Sequence, residues 1–262
     1  MTARSADDIN ARSRERFAPR AESYRSSALH AAGPDLDALI GWLAPVPGER
    51  ALDVATGGGH VALALARTGV GVTACDLTPE MLTAAEALLA EHGFAGEFLI
   101  GDAGALPFPD ESFDIVTCRI AAHHFPDAQA FFREVARVLR PGGRLGFQDQ
   151  ALPPEPTSAV LVDVFERLRD PSHNQGYSVQ GWLELIERAG LTIDRAELFG
   201  KVHDFAEWTE RQDCGEACVA TLRLMMAEAP EGMRTWMTPE PDGAELVTFV
   251  NQHVVVLARK EC

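Results

Sequence analysis

The sequence predicts an α/β fold built on a doubly wound, mostly parallel sheet with a helical cap. Three observations predict it. From about residue 50 to 150, short apolar runs alternate with helix-periodic stretches; alternating βαβ units with short connections imply a parallel sheet. The first apolar run ends in Gly57-Gly58-Gly59 and passes at once into a helical pattern, as a strand does when it turns tightly into a helix. The 262 residues are 46% apolar and 24% charged, enough for a sizeable core and too apolar for a disordered chain.

The elements follow in order. ALDVA (51–55) is a strand and HVALALART (60–68) a helix. VGVTACD (70–76) is a second strand. TPEMLTAAEALLAEHG (78–93) reads as a helix with Thr78 as N-cap, Pro79 at the first helical position and Gly93 past the end. GEFLIGD (96–102) and FDIVTCRI (113–120) are the third and fourth strands. AQAFFREVARVL (128–139) is an amphipathic helix closed by Pro141-Gly142-Gly143, and RLGFQDQ (144–150) is the fifth strand. Beyond residue 150 the rhythm changes. TSAVLVDVFERLRD (157–170) and QGWLELIERAG (180–190) read as helices, LTIDRAELFG (191–200) as a sixth strand, 204–230 as helical, and HVVVLARK (253–260) as the last strand. The helical insertion between the last two strands is expected to cap one edge of the sheet.

Charge narrows the partners. Lys and Arg number 23 against 39 Asp and Glu, a formal charge of −16; a protein that grips a phosphate backbone usually carries a basic stripe. No stretch reaches the roughly 20 uncharged apolar residues of a membrane-spanning helix. The N-terminus is too polar for a secretory leader, so a cytoplasmic protein is expected. The five cysteines (Cys75, Cys118, Cys214, Cys218, Cys262) are expected as thiols. Cys214 and Cys218 have helical i, i+4 spacing but no third ligand nearby in sequence, so no metal site is expected.

The glycine turn and three acids carry the chemistry. In Asp53-Val54-Ala55-Thr56-Gly57-Gly58-Gly59, small residues let the backbone approach a ligand at a helix N-terminus. Gly57-x-Gly59-x-x-Ala62 also satisfies a dinucleotide pattern, which is weak evidence alone. Asp76 ends the second strand, where a carboxylate can accept from a ribose diol; alone, it also reads as an acid at a helix N-terminus. Asp102 ends the third strand and suits an adenine amino group or a turn. Asp53 discriminates. A dinucleotide offers it no cation, whereas a nucleoside bearing an amino-acid tail offers an ammonium group. Three acids at three strand ends therefore fit S-adenosylmethionine.

Residues 50–147 resemble the class I S-adenosylmethionine-dependent methyltransferases, closest to the small-molecule group that contains the ubiquinone and menaquinone C-methyltransferases. Asp53–Gly59 resembles the first motif, with Ala55-Thr56 where the family often has Gly-Cys. Asp76 stands at the ribose acid, followed by Leu77 and Met81 as adenosine neighbours. Gly101-Asp102-Ala103 resembles the adenine-edge motif. Arg119–Phe125 resembles the fourth-strand segment and Leu139–Gly143 the turn before strand five. The resemblance implies a Rossmann-like sheet of seven strands, the last antiparallel. It also implies one domain over 1–262, with an N-terminal lid at 1–45, a cofactor core at 46–150, and the remaining strands with a substrate cap (about 204–240) at 151–262. Asp53, Ala55, Thr56, Gly57, Gly59, Asp76, Leu77, Met81, Asp102, Ala103 and Arg119 are then expected at the cofactor.

Methyl transfer from a sulfonium is an in-line displacement that orientation alone can accelerate by about 7–11 kcal/mol; a base is needed only if the acceptor keeps its proton. His124 and His123 follow the fourth strand and are the foremost candidates, with His173 behind them. Each also reads as a packed or capping residue. Tyr24, His30, Asp149 and Arg169 are expected at the substrate. The expected reaction is methyl transfer to a carbon or oxygen of a small organic acceptor. Two rivals stand beside it: a methyltransferase-like protein that binds the cofactor without transfer (a cyclase, scaffold or regulatory module), and an NAD-dependent oxidoreductase.

Overall fold

The computed structural model describes residues 4–242 and 245–261; Cys262 lies outside them. Four helices come first: α1 (Ala6–Phe17), α2 (Ala21–Arg25), α3 (Ala28–Ala31) and α4 (Pro34–Leu43). The α1 helix is stopped by a 3-10 turn at Ala18–Arg20, where Pro19 cannot donate to a continued helix. The stretch 17–36 is thus divided into short pieces. They fold along the carboxyl ends of the strands that follow.

The sheet is laid down as β1 (Arg50–Val54), α5 (His60–Ala66), β2 (Gly71–Asp76), α6 (Pro79–Glu91), β3 (Glu97–Ile100), β4 (Phe113–Arg119), α7 (Ala128–Val138) and β5 (Leu139–Leu152). Then come α8 (Pro156–Arg169), β6 (Tyr177–Ser178), α9 (Val179–Arg188), β7 (Leu191–Asp204), α10 (Phe205–Glu210), α11 (Glu216–Ala227), α12 (Glu231–Met237), β8 (Glu240–Asp242) and β9 (Glu245–Lys260). The main path runs β3-β2-β1-β4-β5-β9-β7. Strands β1 to β5 are parallel, and β9 lies antiparallel to both β5 and β7. This is the expected Rossmann-like path of seven strands; β6 and β8 add short pairings to β5 and β9.

Two boundaries differ from the sequence reading. β5 begins at Leu139, paired with Phe113, and Pro141-Gly142-Gly143 forms a bulge within it rather than a turn before it. β9 is 16 residues long: before the expected 253–260 its first half pairs with β8 and, from Thr248 opposite Asp204, with β7. Asn251 and Gln252 interrupt the apolar pattern and hid that extension, while the apolar run Val254–Leu257 was plain.

Strand alternation sorts the core into two layers. Leu52, Val54, Val116 and Phe147 point to one face, against Phe131, Phe132 and Trp182 of α7 and α9. Ala51 and Ile115 point to the other, against Leu39 and Leu43 of α4 and Leu63 and Leu65 of α5. A third cluster joins Phe165 of α8 to Trp208, Leu222, Met226, Met233 and Phe249. It is the core of the cap formed by α10, α11 and α12 between β7 and β9, where the sequence placed a helical insertion. Strand order reverses between β1 and β4, and a crevice at the carboxyl ends of these strands is where such sheets bind ligands.

Candidate active site

The crevice is shaped by its glycines. Gly59 has φ +87°, and a Cβ there would lie 2.8 Å from the Ala85 Cα; its role is to seat α5 against α6, and it lines neither pocket described below. A Cβ on Gly58 would meet the Tyr24 carbonyl carbon and oxygen at 2.7 Å. The backbone of the N-terminal arm therefore rests directly on the turn. His60 reinforces this contact with a ring nitrogen 2.9 Å from the Tyr24 carbonyl oxygen.

Two pockets share this crevice. The first is lined by Ala55, Gly57, Asp76, Leu77, Met81, Asp102, Ala103 and Phe125 from the sheet side, and by Asn10, Phe17 and Tyr24 from the arm. Seven residues expected at the cofactor thus meet in one place. Asp76 accepts from the Gly57 N–H at 3.0 Å and the Thr78 N–H at 2.9 Å, which fixes its carboxylate. Burial raises its pKa. Asp102 accepts from the Gly104 N–H at 2.8 Å and from the Asn10 amide at 2.7 Å. Asn10 went unnoticed in the sequence because nothing local marks a polar residue on α1 as reaching strand three.

The second pocket lies on the far side of the turn. Asp53, Thr56, His30, Arg119, His123 and Arg169 of the expected site residues line it. Parallel register sets Asp53 beside Thr117 of β4. The Thr117 and Thr56 hydroxyls donate to Asp53 at 2.8 and 2.7 Å, and burial pushes the carboxyl up to about 6. Arg119 is committed to the protein: it donates to Asp35 at 2.8 Å, to the His30 carbonyl at 3.0 Å and to Gln148 at 2.7 Å. The ammonium of Lys201 sits 2.8 Å from the same Asp35 carboxylate oxygen. Burial works against ionised Asp35, but the two cations hold it well below the usual carboxylate range.

Phe17, Tyr24, Ala55, Gly57, Ile120 and His124 line both pockets and form the wall between them. Behind this wall lies a histidine cluster. The rings of His123 and His124 are 4.0 Å apart, and those of His123 and His173 are 5.2 Å apart. Asp149 accepts from His123 at Nδ1 (2.6 Å) and at the backbone N–H (3.2 Å). Burial alone would lower the His123 pKa; the Asp149 carboxylate outweighs it and raises it. His124 has no such partner. Burial, followed by the neighbouring His123, lowers it to about 3, so it is a neutral ring at ordinary pH. His173 is tied to Asp163 at 2.7 Å. Neither His173 nor Asp149 lines a pocket; both stand behind His123.

Several pocket residues carried no sequence signal: Lys201, His203, Arg211, Asn251 and His253. They come from β7, the end of α10 and β9, and only the pairing of β7 with β9 brings them to one wall. Cys214 and Cys218 direct their thiols to the carbonyls of Arg169 and Leu168, bracing the end of α8. No helix among the described residues is long and apolar enough to cross a membrane.

Comparison with known proteins agrees with this geometry. The methyltransferase domain pattern matches residues 52–147. The methyltransferase YcgJ of Bacillus subtilis (strain 168) is 37% identical over 196 residues, covering 74% of this chain and 78% of the relative. The demethylmenaquinone methyltransferase of Clavibacter sepedonicus is 38% identical over 130 residues, covering 50% of this chain and 53% of that one. The crystal structure of a Bacillus halodurans C-125 protein described as a methyltransferase superposes with a TM-score of 0.84 at 35% identity, covering 88% of this chain and all of that one. With the reversal at β1/β4, the glycine turn and the acids at three strand ends, these similarities place the chain in the class I S-adenosylmethionine-dependent methyltransferases.

Proposed function

We propose that this chain binds S-adenosylmethionine with its adenosine in the first pocket and its amino-acid tail reaching across the shared wall to Asp53, and transfers its methyl group to a carbon or oxygen of a small organic acceptor held in the rest of the second. The observation that carries the reading is the shared wall. An acidic crevice fitted to an adenosine opens, across six residues, onto a second pocket walled by histidines.

The residues present fit the cofactor. Leu77, Met81, Ala103 and Phe125 offer an apolar slot for a base. Asp102 stands at its edge. Asp76, immobilised by two N–H donors, keeps further lone pairs for a diol. Asp53, with a raised pKa in a buried site, is stabilised as an anion by a nearby ammonium group. When bound, the cofactor supplies a methyl group already activated by its sulfonium charge. The N-terminal arm acts as the lid, residues 46–150 as the cofactor core, and the segment beyond 150 as the acceptor side.

The geometry favours His123 over His124 as proton acceptor. Asp149 holds Nδ1 in the donor tautomer, which leaves Nε2 as the acceptor. His124, kept neutral and weakly basic, positions the acceptor against the wall. Arg119, spent on Asp35, Gln148 and His30, anchors the N-terminal arm to the sheet instead of touching the cofactor. His173 and Asp149 act through His123. The quinone-like acceptors of the Clavibacter relative mark one class to try first.

Calorimetric titration with S-adenosylmethionine, S-adenosylhomocysteine and NAD tests the cofactor assignment. Saturable binding of the two adenosyl ligands and none of NAD is expected. Binding of NAD alone, or of none of the three, would defeat it.

A further inference from the structure

We propose that Arg169 and Arg211 form a subsite for a carboxylate carried by the methyl acceptor, a reading that rests on the methyl-transfer function above. Both come from the cap side: Arg169 ends α8 and Arg211 follows α10. The Arg169 guanidinium lies 4.5 Å over the Trp208 ring, and its Nε donates to the Trp208 carbonyl at 3.0 Å. Stacking and one hydrogen bond fix its plane and leave the two terminal nitrogens for a ligand. One terminal nitrogen of Arg211 is 3.3 Å from His203 Nδ1. Among the described residues neither arginine makes an ion pair.

The local charge is unbalanced. Arg16, Arg169 and Arg211 lie around the half-buried Tyr24 together with Asp170, which pairs with Arg16 at 3.8 Å, and Glu207 lies near Arg211. Asp170 is already occupied, accepting from the Ser172 hydroxyl at 2.6 Å and the Gln212 amide at 3.2 Å. A pocket with surplus positive charge inside a chain of net charge −16 is a built feature, since burying like charges together is unfavourable without a counterion. Burial and the nearby Arg169 depress the Arg211 guanidinium below its ordinary value, a strain that an anion between them would relieve.

A second observation points to a ligand. His253 Nδ1 belongs to a buried side chain lining this pocket, can donate to an anion, and has no hydrogen-bond partner among the described residues. Buried polar atoms are rarely left unpaired without a reason. The cofactor's own carboxylate is told apart from this occupant by the effect of the arginine variants on S-adenosylhomocysteine affinity. A planar monoanion matches two guanidinium forks, and a phosphate dianion would be set against Asp170.

The test is calorimetry on the protein saturated with S-adenosylhomocysteine, using benzoate, neutral benzamide and inorganic phosphate as probes. Benzoate is expected to bind, and benzamide at least about tenfold more weakly. Arg211→Met and, separately, Arg169→Met are expected to weaken benzoate by ~10–100-fold, the range of a charge-assisted hydrogen bond, and to leave homocysteine-ligand affinity within about twofold. Benzamide equal to benzoate, phosphate preferred to benzoate, no benzoate binding, or benzoate affinity retained in both variants would each overturn the subsite. Parallel loss of both ligands in the variants would move the arginines to the cofactor and overturn it as well. Failure of the wild type to bind S-adenosylhomocysteine, read before any probe is added, would instead sink the methyl-transfer reading beneath it.

Discussion

The two pockets are built on opposite plans. The first draws its carboxylates from successive strand ends, Asp76 and Asp102, within one continuous stretch of chain, and these residues are fixed by backbone N–H groups, Thr78 and Gly104 in their own turns and Gly57 in the glycine turn. The second draws on β1, β4, β5, the end of α8, β7, α10 and β9, and its polar groups are fixed by one another or left unpaired. Local turn chemistry makes the first pocket rigid and written in short motifs. Tertiary pairing makes the second, so its composition is free to be basic in an acidic chain.

The sharpest way to separate the halves is His123→Gln. Loss of a general base is expected to lower turnover by ~10²–10⁴-fold, with S-adenosylhomocysteine affinity unchanged by calorimetry. Full activity would return His123 to a packing role. Next in size is Arg119→Met. It leaves Asp35 with Lys201 and the Gln148 amide, and loss of one of two cations is expected to remove less than the about 3–5 kcal/mol of a fully orphaned buried charge, read as a lower denaturation midpoint. Asp76→Asn is the reciprocal of the histidine change. Cofactor affinity is expected to fall by ~10–100-fold; unchanged affinity would remove its role at the ribose.

The pH dependence sharpens the acceptor half. The His123 pKa is raised from its ordinary 6.5 by Asp149, so the neutral, proton-accepting ring forms only above that value. Turnover is expected to rise with pH through an apparent pKa above 6.5, and Asp149→Asn is expected to move that limb to lower pH. The same pair affects stability with the opposite sense. Its contribution is fully present below the unfolded pKa of about 6.5 and fades as pH rises through the folded one. A limb unmoved by Asp149→Asn would dissociate the two residues. The smallest effect tests the contact between the arm and the turn: Gly58→Ala sets a Cβ against the Tyr24 carbonyl. It is expected to loosen cofactor binding severalfold and to open the arm to limited proteolysis.

Legibility followed the same division. The sheet was readable because buried parallel strands are short apolar runs punctuated by glycine and proline, and the fit of Asp53, Asp76 and Asp102 to one ligand was readable because each stands at or within two residues of a strand's carboxyl end. Arg119 was readable only as a polar residue at a strand end and His173 only as a further histidine candidate, and their partners Asp35 and Asp163 lie far away in sequence or on a helix face. The pairing of His123 with Asp149 joins residues 26 positions apart through the β4·β5 register. Lys201, Arg211 and His253 had no local mark at all, because the antiparallel pairing of β7 and β9 that assembles their wall is a long-range fact.

That pairing has a further consequence. The chain leaves the sheet at Asp204, which is opposite Thr248, and Glu240 on the returning side pairs with the same Thr248. The three helices between are, topologically, a loop whose two ends meet. Lengthening or replacing such a loop costs only a slowly growing closure entropy, about 0.6 kcal/mol per doubling, and shifts the register of no sheet strand. The part of the second pocket that this loop supplies, Trp208, Arg211 and Gln212, is therefore exchangeable without moving a strand of the sheet.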